Sequence, residues 1–203
     1  MVRALSPPPT LRFELDDLAR PPVRDLVARH LAGMRAQSPP ESVHALALEG
    51  LKAPSIRFWA AWSGETLAGM GALRRIDAEN GEIKSMRVAD AFLGQGVGRA
   101  ILDHILAEAR ALGLAALWLE TGSVEGFIPA RTLYESAGFR ACGPFDTYGP
   151  DPFSVFMTPR PCGPAPPQAP GLRPRLLAMT PSTSRVGNSR GSHQFTSGLG
   201  TGA

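Results

Sequence analysis

The spacing of apolar and polar residues divides the chain into short alternating runs and longer runs of helical period. Residues 10–15 (TLRFEL) alternate and predict a strand. Beyond Pro21-Pro22, the residues Val23, Leu26, Val27, Leu31 and Met34 keep helical spacing, with Pro22 suited to a first turn. Ser38-Pro39-Pro40 ends that helix. Val43, Leu46 and Leu48 predict a second, shorter helix over 41–51. Residues 56–62 and 66–76 read as strands joined at Ser63-Gly64, an antiparallel hairpin.

The most informative pattern lies at 82–113. A strand-like stretch, EIKSMRV at 82–88, runs into a glycine-rich turn with Gly94, Gly96 and Gly98. A helix follows at once, with Ile101, Leu102, Ile105, Leu106, Ala109 and Leu112 on one face and Gly113 closing it. The apolar run LAALWL at 114–119 suits a buried strand. A helix over 129–137 has Pro129 in its first turn and Gly138 at its end. Strands at 139–142 and 154–157 complete the series, separated by a turn-rich segment.

Composition narrows the picture. At 203 residues and 43% apolar content, one domain with a proper core is expected. The net charge of +3 resides in the last stretch: residues 160–203 hold five arginines and no acidic residue, leaving 16 basic against 18 acidic residues in 1–159. The folded part is therefore not read as a nucleic-acid binder. From Pro159 onward the chain has no period, so 160–203 is expected to be a disordered tail after a domain over 1–159, with 1–9 a loose end. Two cysteines, Cys142 and Cys162, make no disulfide framework, and no run approaches a membrane span. The expectation is a soluble, cytoplasmic protein that engages neither membrane nor nucleic acid.

Backbone N–H groups at a helix N-terminus favour an anion, so the glycine turn reads first as a phosphate site. A P-loop requires GxxxxGK[ST], and no lysine follows these glycines. A dinucleotide fingerprint requires GxGxxG, yet Arg99 stands where its third glycine belongs. Glu120, 22 residues beyond Gly98, would suit a ribose-binding acid. The preceding strand carries three charged residues, Glu82, Lys84 and Arg87, unlike a strand buried on both faces.

Two motifs in order carry a resemblance. The run from Val88 through Gly94-Gln95-Gly96-Val97-Gly98-Arg99 to Leu102 resembles motif A of the GCN5-related N-acetyltransferases, the GNAT superfamily, and LYESAGF at 133–139 resembles a second segment of that superfamily. SPPESVHAL at 38–46, LETG at 119–122 and DPFSVFM at 151–157 are similar to small bacterial acetyltransferases. The resemblance implies an α/β fold: a mixed, mostly antiparallel sheet with helices on both faces and a splayed parallel pair, 82–88 and 114–120. It implies an acetyl-CoA-dependent N-acetyltransferase acting on a small-molecule amine by direct attack in a ternary complex, without a metal, and a homodimer is compatible with it. The pyrophosphate would lie on the amides from Gly94 to Arg99. Met86, Val88 and Leu93 complete the expected cofactor-binding set, although Leu93 stands where the superfamily usually has Gln or Arg. Phe127 and Phe153 depart from the relatives' Asn.

Acetyl transfer to an amine has three requirements: deprotonation of the nucleophile, polarisation of the thioester carbonyl, and a donor for the leaving thiolate. The resemblance assigns the last to Tyr134, which would also contact the cofactor. A main-chain N–H in the 86–88 segment is the expected carbonyl donor. Glu82, on the strand before the turn, is the candidate base, with Glu120 as its rival. Lys84 and Arg131 could attract a carboxylate, and His44 reads as a packed or solvated helix residue. The alternatives are a GNAT-like module that binds an acyl-CoA without turnover and, further off, a nicotinamide-binding enzyme.

Overall fold

Along 56–63 the side chains alternate between two buried faces: Phe58, Ala60 and Trp62 enter one core, Trp59 and Ala61 another. Such a strand must be covered on both sides. The structure, a computed structural model, describes residues 9–159. Its seven strands are β1 (Arg12–Leu15), β2 (Ile56–Ser63), β3 (Thr66–Arg75), β4 (Asn80–Val88), β5 (Ala116–Gly122), β6 (Arg140–Cys142) and β7 (Ser154–Thr158). They form one sheet in the order β1-β2-β3-β4-β5-β7-β6, antiparallel throughout except between β4 and β5. Residues 1–8 and 160–203, including the expected tail, lie outside the described residues.

Helices α1 (Pro21–Gln37) and α3 (Val97–Ala111) cover opposite faces. Val23, Leu26 and Val27 of α1 pack with Phe58, Ala60, Met70 and Ala72. On the other face Val97, Ile101, Leu102, Ile105 and Ala109 of α3 meet Trp59, Leu73, Ile83 and Leu119. Fully burying a side chain of this size contributes about 1.5–3 kcal/mol, so these two stripes fix the layer order. Helix α4 (Ile128–Ser136) adds Tyr134 to the α3 side, and Gly113 and Gly138 end α3 and α4 at φ 74° and 92°.

The segment expected to be helical over 41–51 is not. It forms a 3-10 turn at Pro40–Ser42, an extended stretch, and one short helix, α2 (Leu48–Leu51). The reason is that its side chains serve two surfaces: Leu46 and Leu48 join the α1-side core, while His44 and Ala45 line a cavity. One helical stripe cannot serve both.

β4 and β5 pair only from Asn80↔Ala116 to Ile83↔Leu119, although β4 continues to Val88 and β5 to Gly122. From Leu119 to Gly122, β5 pairs with β7. The cause lies in β4 itself. Its ladder with β3 jumps from Ala72↔Lys84 to Met70↔Arg87, so Ser85 and Met86 oppose Gly71 alone. Two residues against one is a β-bulge, which bends the strand that carries it. Here it turns β4 away from β5 and opens the splay.

Candidate active site

The glycine turn has the geometry its composition demands. Gly94 and Gly96 have φ of 74° and 81°, a region costing an L-residue about 1–2 kcal/mol. Gly96 caps α3 without any side-chain cap bond. The first helical hydrogen bond runs from the Ala100 N–H to the Gly96 carbonyl, which leaves the N–H groups of Val97, Gly98 and Arg99 with no intrahelical acceptor. A Cβ on Gly98 would sit 3.4 Å from both Leu133 and Val88, so the turn lies against α4 and the end of β4. The side chains nearby are committed or unsuitable. Arg99 pairs with Asp103 at 2.9 Å, Gln95 donates to the Ala91 carbonyl, and Leu93 is 62% exposed with no donor to offer. Anion binding here therefore falls to the main chain.

At the splay a cavity of about 90 Å³ opens between the diverging strands. Ile83, Lys84, Ser85 and Met86 of β4, Glu120 and Thr121 of β5, Tyr134 of α4, and His30 and Met34 of α1 line it with His44 and Phe127. Beyond Ile83 the edge of β4 that faces β5 has no strand partner. Its main-chain groups are thus open to whatever enters.

Tyr134 projects from α4 into this cavity. Its hydroxyl lies 3.8 Å from the Met86 sulfur, a weak contact, and burial, seconded by Glu120, pushes its pKa well above the usual phenol value. The group stays protonated and can donate. Glu120 faces the same space. Burial pushes its carboxyl up, opposed by a 2.7 Å hydrogen bond from the Ser154 hydroxyl and by His44 and Lys84 nearby. His30 is held neutral, its pKa lowered to about 4 by burial and then by Arg87.

Glu82 is close by but differently occupied. It is fully buried and accepts from Arg74 Nε at 2.6 Å, Lys84 Nζ at 2.8 Å and the Tyr148 hydroxyl at 2.6 Å. Arg74 also pairs with the buried Asp146. The network balances two cations with two anions, and Phe145 and Phe156 pack Tyr148 beneath it. Arg74, Asp146, Tyr148, Ser154 and Ser85 carry no role in the sequence reading. Only the charges on EIKSMRV hinted at them, since a carboxylate in a central strand requires buried partners.

Lys84 and Arg131, which could attract a carboxylate, are both engaged within the protein. Lys84 is committed to Glu82 and Tyr148, and Arg131 donates to the Gly122 and Val124 carbonyls at 2.7 and 3.1 Å, fastening β5 to α4. His44 is no helix residue. It stands on the cavity wall with its Nε2 3.6 Å from Asp151 and its ring edge-on to Tyr148.

A splayed parallel strand pair beside a glycine-capped helix has known counterparts. The family model described as acetyltransferase (GNAT) family matches residues 23–139. The chain belongs to the GNAT acetyltransferase family. It is 53% identical over 148 residues to YsnE of Bacillus subtilis, an uncharacterized N-acetyltransferase, covering 73% of this chain and 98% of that one. To YedL of Escherichia coli, also an uncharacterized N-acetyltransferase, it is 48% identical over 146 residues, 72% and 92% of the two chains. Among solved structures, one assigned as an acyl-CoA N-acyltransferase from Klebsiella pneumoniae superposes with a TM-score of 0.60 at 25% identity, covering 73% of this chain and 96% of that one. The GNAT fold expected from the motifs is therefore the fold observed, and acetyl transfer is the chemistry for which its cavity is read.

Proposed function

We propose that this GNAT protein transfers the acetyl group of acetyl-CoA to the amine of a small molecule, by direct attack in a ternary complex. The observation that carries the reading is the position of the splay. It places the Tyr134 hydroxyl and the Glu120 carboxyl on one cavity, beside main-chain edges that no strand occupies. The pyrophosphate sits on the amides that follow Gly96, and the pantetheine arm takes the place along β4 that β5 leaves. A main-chain N–H near Met86 polarises the thioester oxygen. Tyr134 supplies a hydrogen bond to the departing thiolate. Because its pKa is raised, it works by donating that bond rather than by releasing a free proton.

Of the two carboxylates expected to deprotonate the amine, we assign the role to Glu120. It lines the cavity, and its raised pKa lies nearer the working pH, which suits a general base. Glu82, saturated by three donors, instead fixes Lys84 and Tyr148 at the cavity's edge. The activity resides in residues 1–159, and a chain cut after 159 should retain it.

Calorimetry with acetyl-CoA and with NAD tests the cofactor. Binding of acetyl-CoA alone is expected, and binding of NAD alone would end the reading. Acetyl-CoA binding without thiol release for any amine would favour the acyl-CoA-binding module.

A further inference from the structure

Ser85 is the strained residue of the cavity. It occupies the β4 bulge with φ of 52°, in the left-handed region that a non-glycine residue adopts rarely and least of all within a strand. Its hydroxyl is shielded from solvent and has no hydrogen-bond partner, one of three such side-chain atoms among the described residues. The other two, on Trp62 and His104, lie outside this cavity, whereas Ser85 lines it. A strained backbone and an orphaned polar atom at one position are each destabilising, and strain of this kind gathers at ligand sites.

The neighbours of Ser85 along β4 face opposite ways. A Cβ on Gly71 would lie 2.8 Å from Ile101 and Ile105 and 3.4 Å from the Met86 Cγ, so Met86 points to the α3 face with Tyr134. Lys84 and Arg87 take the opposite face, where Lys84 meets Tyr148 and Arg87 closes on Gly33 of α1. Ser85, between Lys84 and Met86, lines the same cavity as Glu120, His30 and His44. Glu120 and Ser85 line one cavity of about 90 Å³, so a small acceptor whose amine meets Glu120 can offer its neighbouring atoms to Ser85.

We infer that Ser85 is a specificity-determining residue that hydrogen-bonds a polar oxygen of the acceptor close to its amine, so that the enzyme acts on amines bearing a hydroxyl or carbonyl two to three bonds from the nitrogen. This rests on the function proposed above. Among the described residues Lys84 is the permanent cation lining the cavity, and it is already bonded to Glu82 and Tyr148, so the oxygen recognised is a neutral one. A site built to bond such an oxygen discriminates against the alkyl analogue, because the hydroxyl is then left unpaired in the complex.

The test compares 2-aminoethanol and glycinamide with n-propylamine and n-butylamine as acceptors, by thiol release from acetyl-CoA, in the native protein and in Ser85→Ala and Ser85→Gly. The native protein should favour at least one of the oxygen-bearing amines about tenfold or more in kcat/KM, the scale of one good hydrogen bond. Both variants should lose that preference while still binding acetyl-CoA, as read by calorimetry. Ser85→Gly should also raise Tm by about 2–4 °C by relieving the positive φ, so its loss of preference cannot be ascribed to misfolding. Equal use of all four amines, use of none of them, or a preference that survives in both variants would overturn the assignment. Failure to bind acetyl-CoA in the native protein would overturn the proposed function itself.

Discussion

The Tyr134 hydroxyl and the Met86 sulfur lie 3.8 Å apart, joining α4 to β4 where that strand leaves β5. Two segments 48 residues apart in sequence thus meet at the mouth of the splay, and among the described residues the phenol has no stronger hydrogen-bond partner. If Tyr134 bonds the leaving thiolate, Tyr134→Phe should lower kcat by about 10²–10⁴ in a thiol-release assay. Acetyl-CoA affinity should change little, since the aromatic packing is kept. Near-native turnover would remove Tyr134 from the mechanism.

Glu120 gives a prediction with two signs. Its folded pKa is raised above the unfolded value of about 4.3, so the fold favours the protonated form. That stabilising contribution is complete below the unfolded pKa and is lost as pH rises through the folded one. Above that range the ionised carboxylate is a liability to stability, and Glu120→Gln should raise Tm. The same change should abolish the acidic limb of the kcat/KM profile along with most of the activity. A variant that is both less stable and fully active would contradict the base assignment.

Gly96 allows a direct test of the anion site. Gly96→Asp puts a carboxylate beside the amides of Val97 and Gly98, at a φ of 81° in the left-handed region that Asp enters more readily than Ala. Calorimetry should show loss of acetyl-CoA binding. Gly96→Ala carries the strain without the charge and should weaken binding less. Equal affinity in the native and Asp proteins would refute the placement.

The Glu82 network predicts a loss of stability. Replacing Arg74 by Met leaves Glu82 and Asp146 short of a cation in a buried setting, and breaking such a pair typically costs about 3–5 kcal/mol. Denaturant unfolding should show a loss of that order for Arg74→Met. A change below about 1 kcal/mol would mean that water already shares the site.

His30 makes stability fall in mild acid. Its folded pKa of about 4 lies below the unfolded value of about 6.5, so its contribution is present above 6.5 and is lost as pH falls toward 4. Tm measured across that window should decline in the native protein, and more gently in His30→Gln. Identical slopes would show that His30 is not held neutral.

Most of the fold was legible because its signals are local. Pro22 and Pro129 start helices, Gly113 and Gly138 end them, and Gly94 and Gly96 adopt the positive φ that glycine spacing suggested. The segment 41–51 reads as a helix because its apolar residues fit a helical stripe, whereas His44 and Ala45 answer to a cavity built by distant strands. Glu82 and Glu120 were both visible as candidates. Their difference depends on Arg74, 8 residues from Glu82, and on Tyr148, 66 residues from it, and no local pattern carries partners so far apart. Ser85 was equally hidden, since a bulge arises from the register of two strands.

The central claim is amine-dependent acetyl transfer from acetyl-CoA, and steady-state thiol release with both substrates varied tests it most directly, with the acetylated amine identified by mass spectrometry. A panel of primary amines should contain at least one whose addition drives thiol release, with intersecting double-reciprocal lines that report a ternary complex. Thiol release that no amine accelerates, or parallel lines with an acetylated protein as intermediate, would contradict the account.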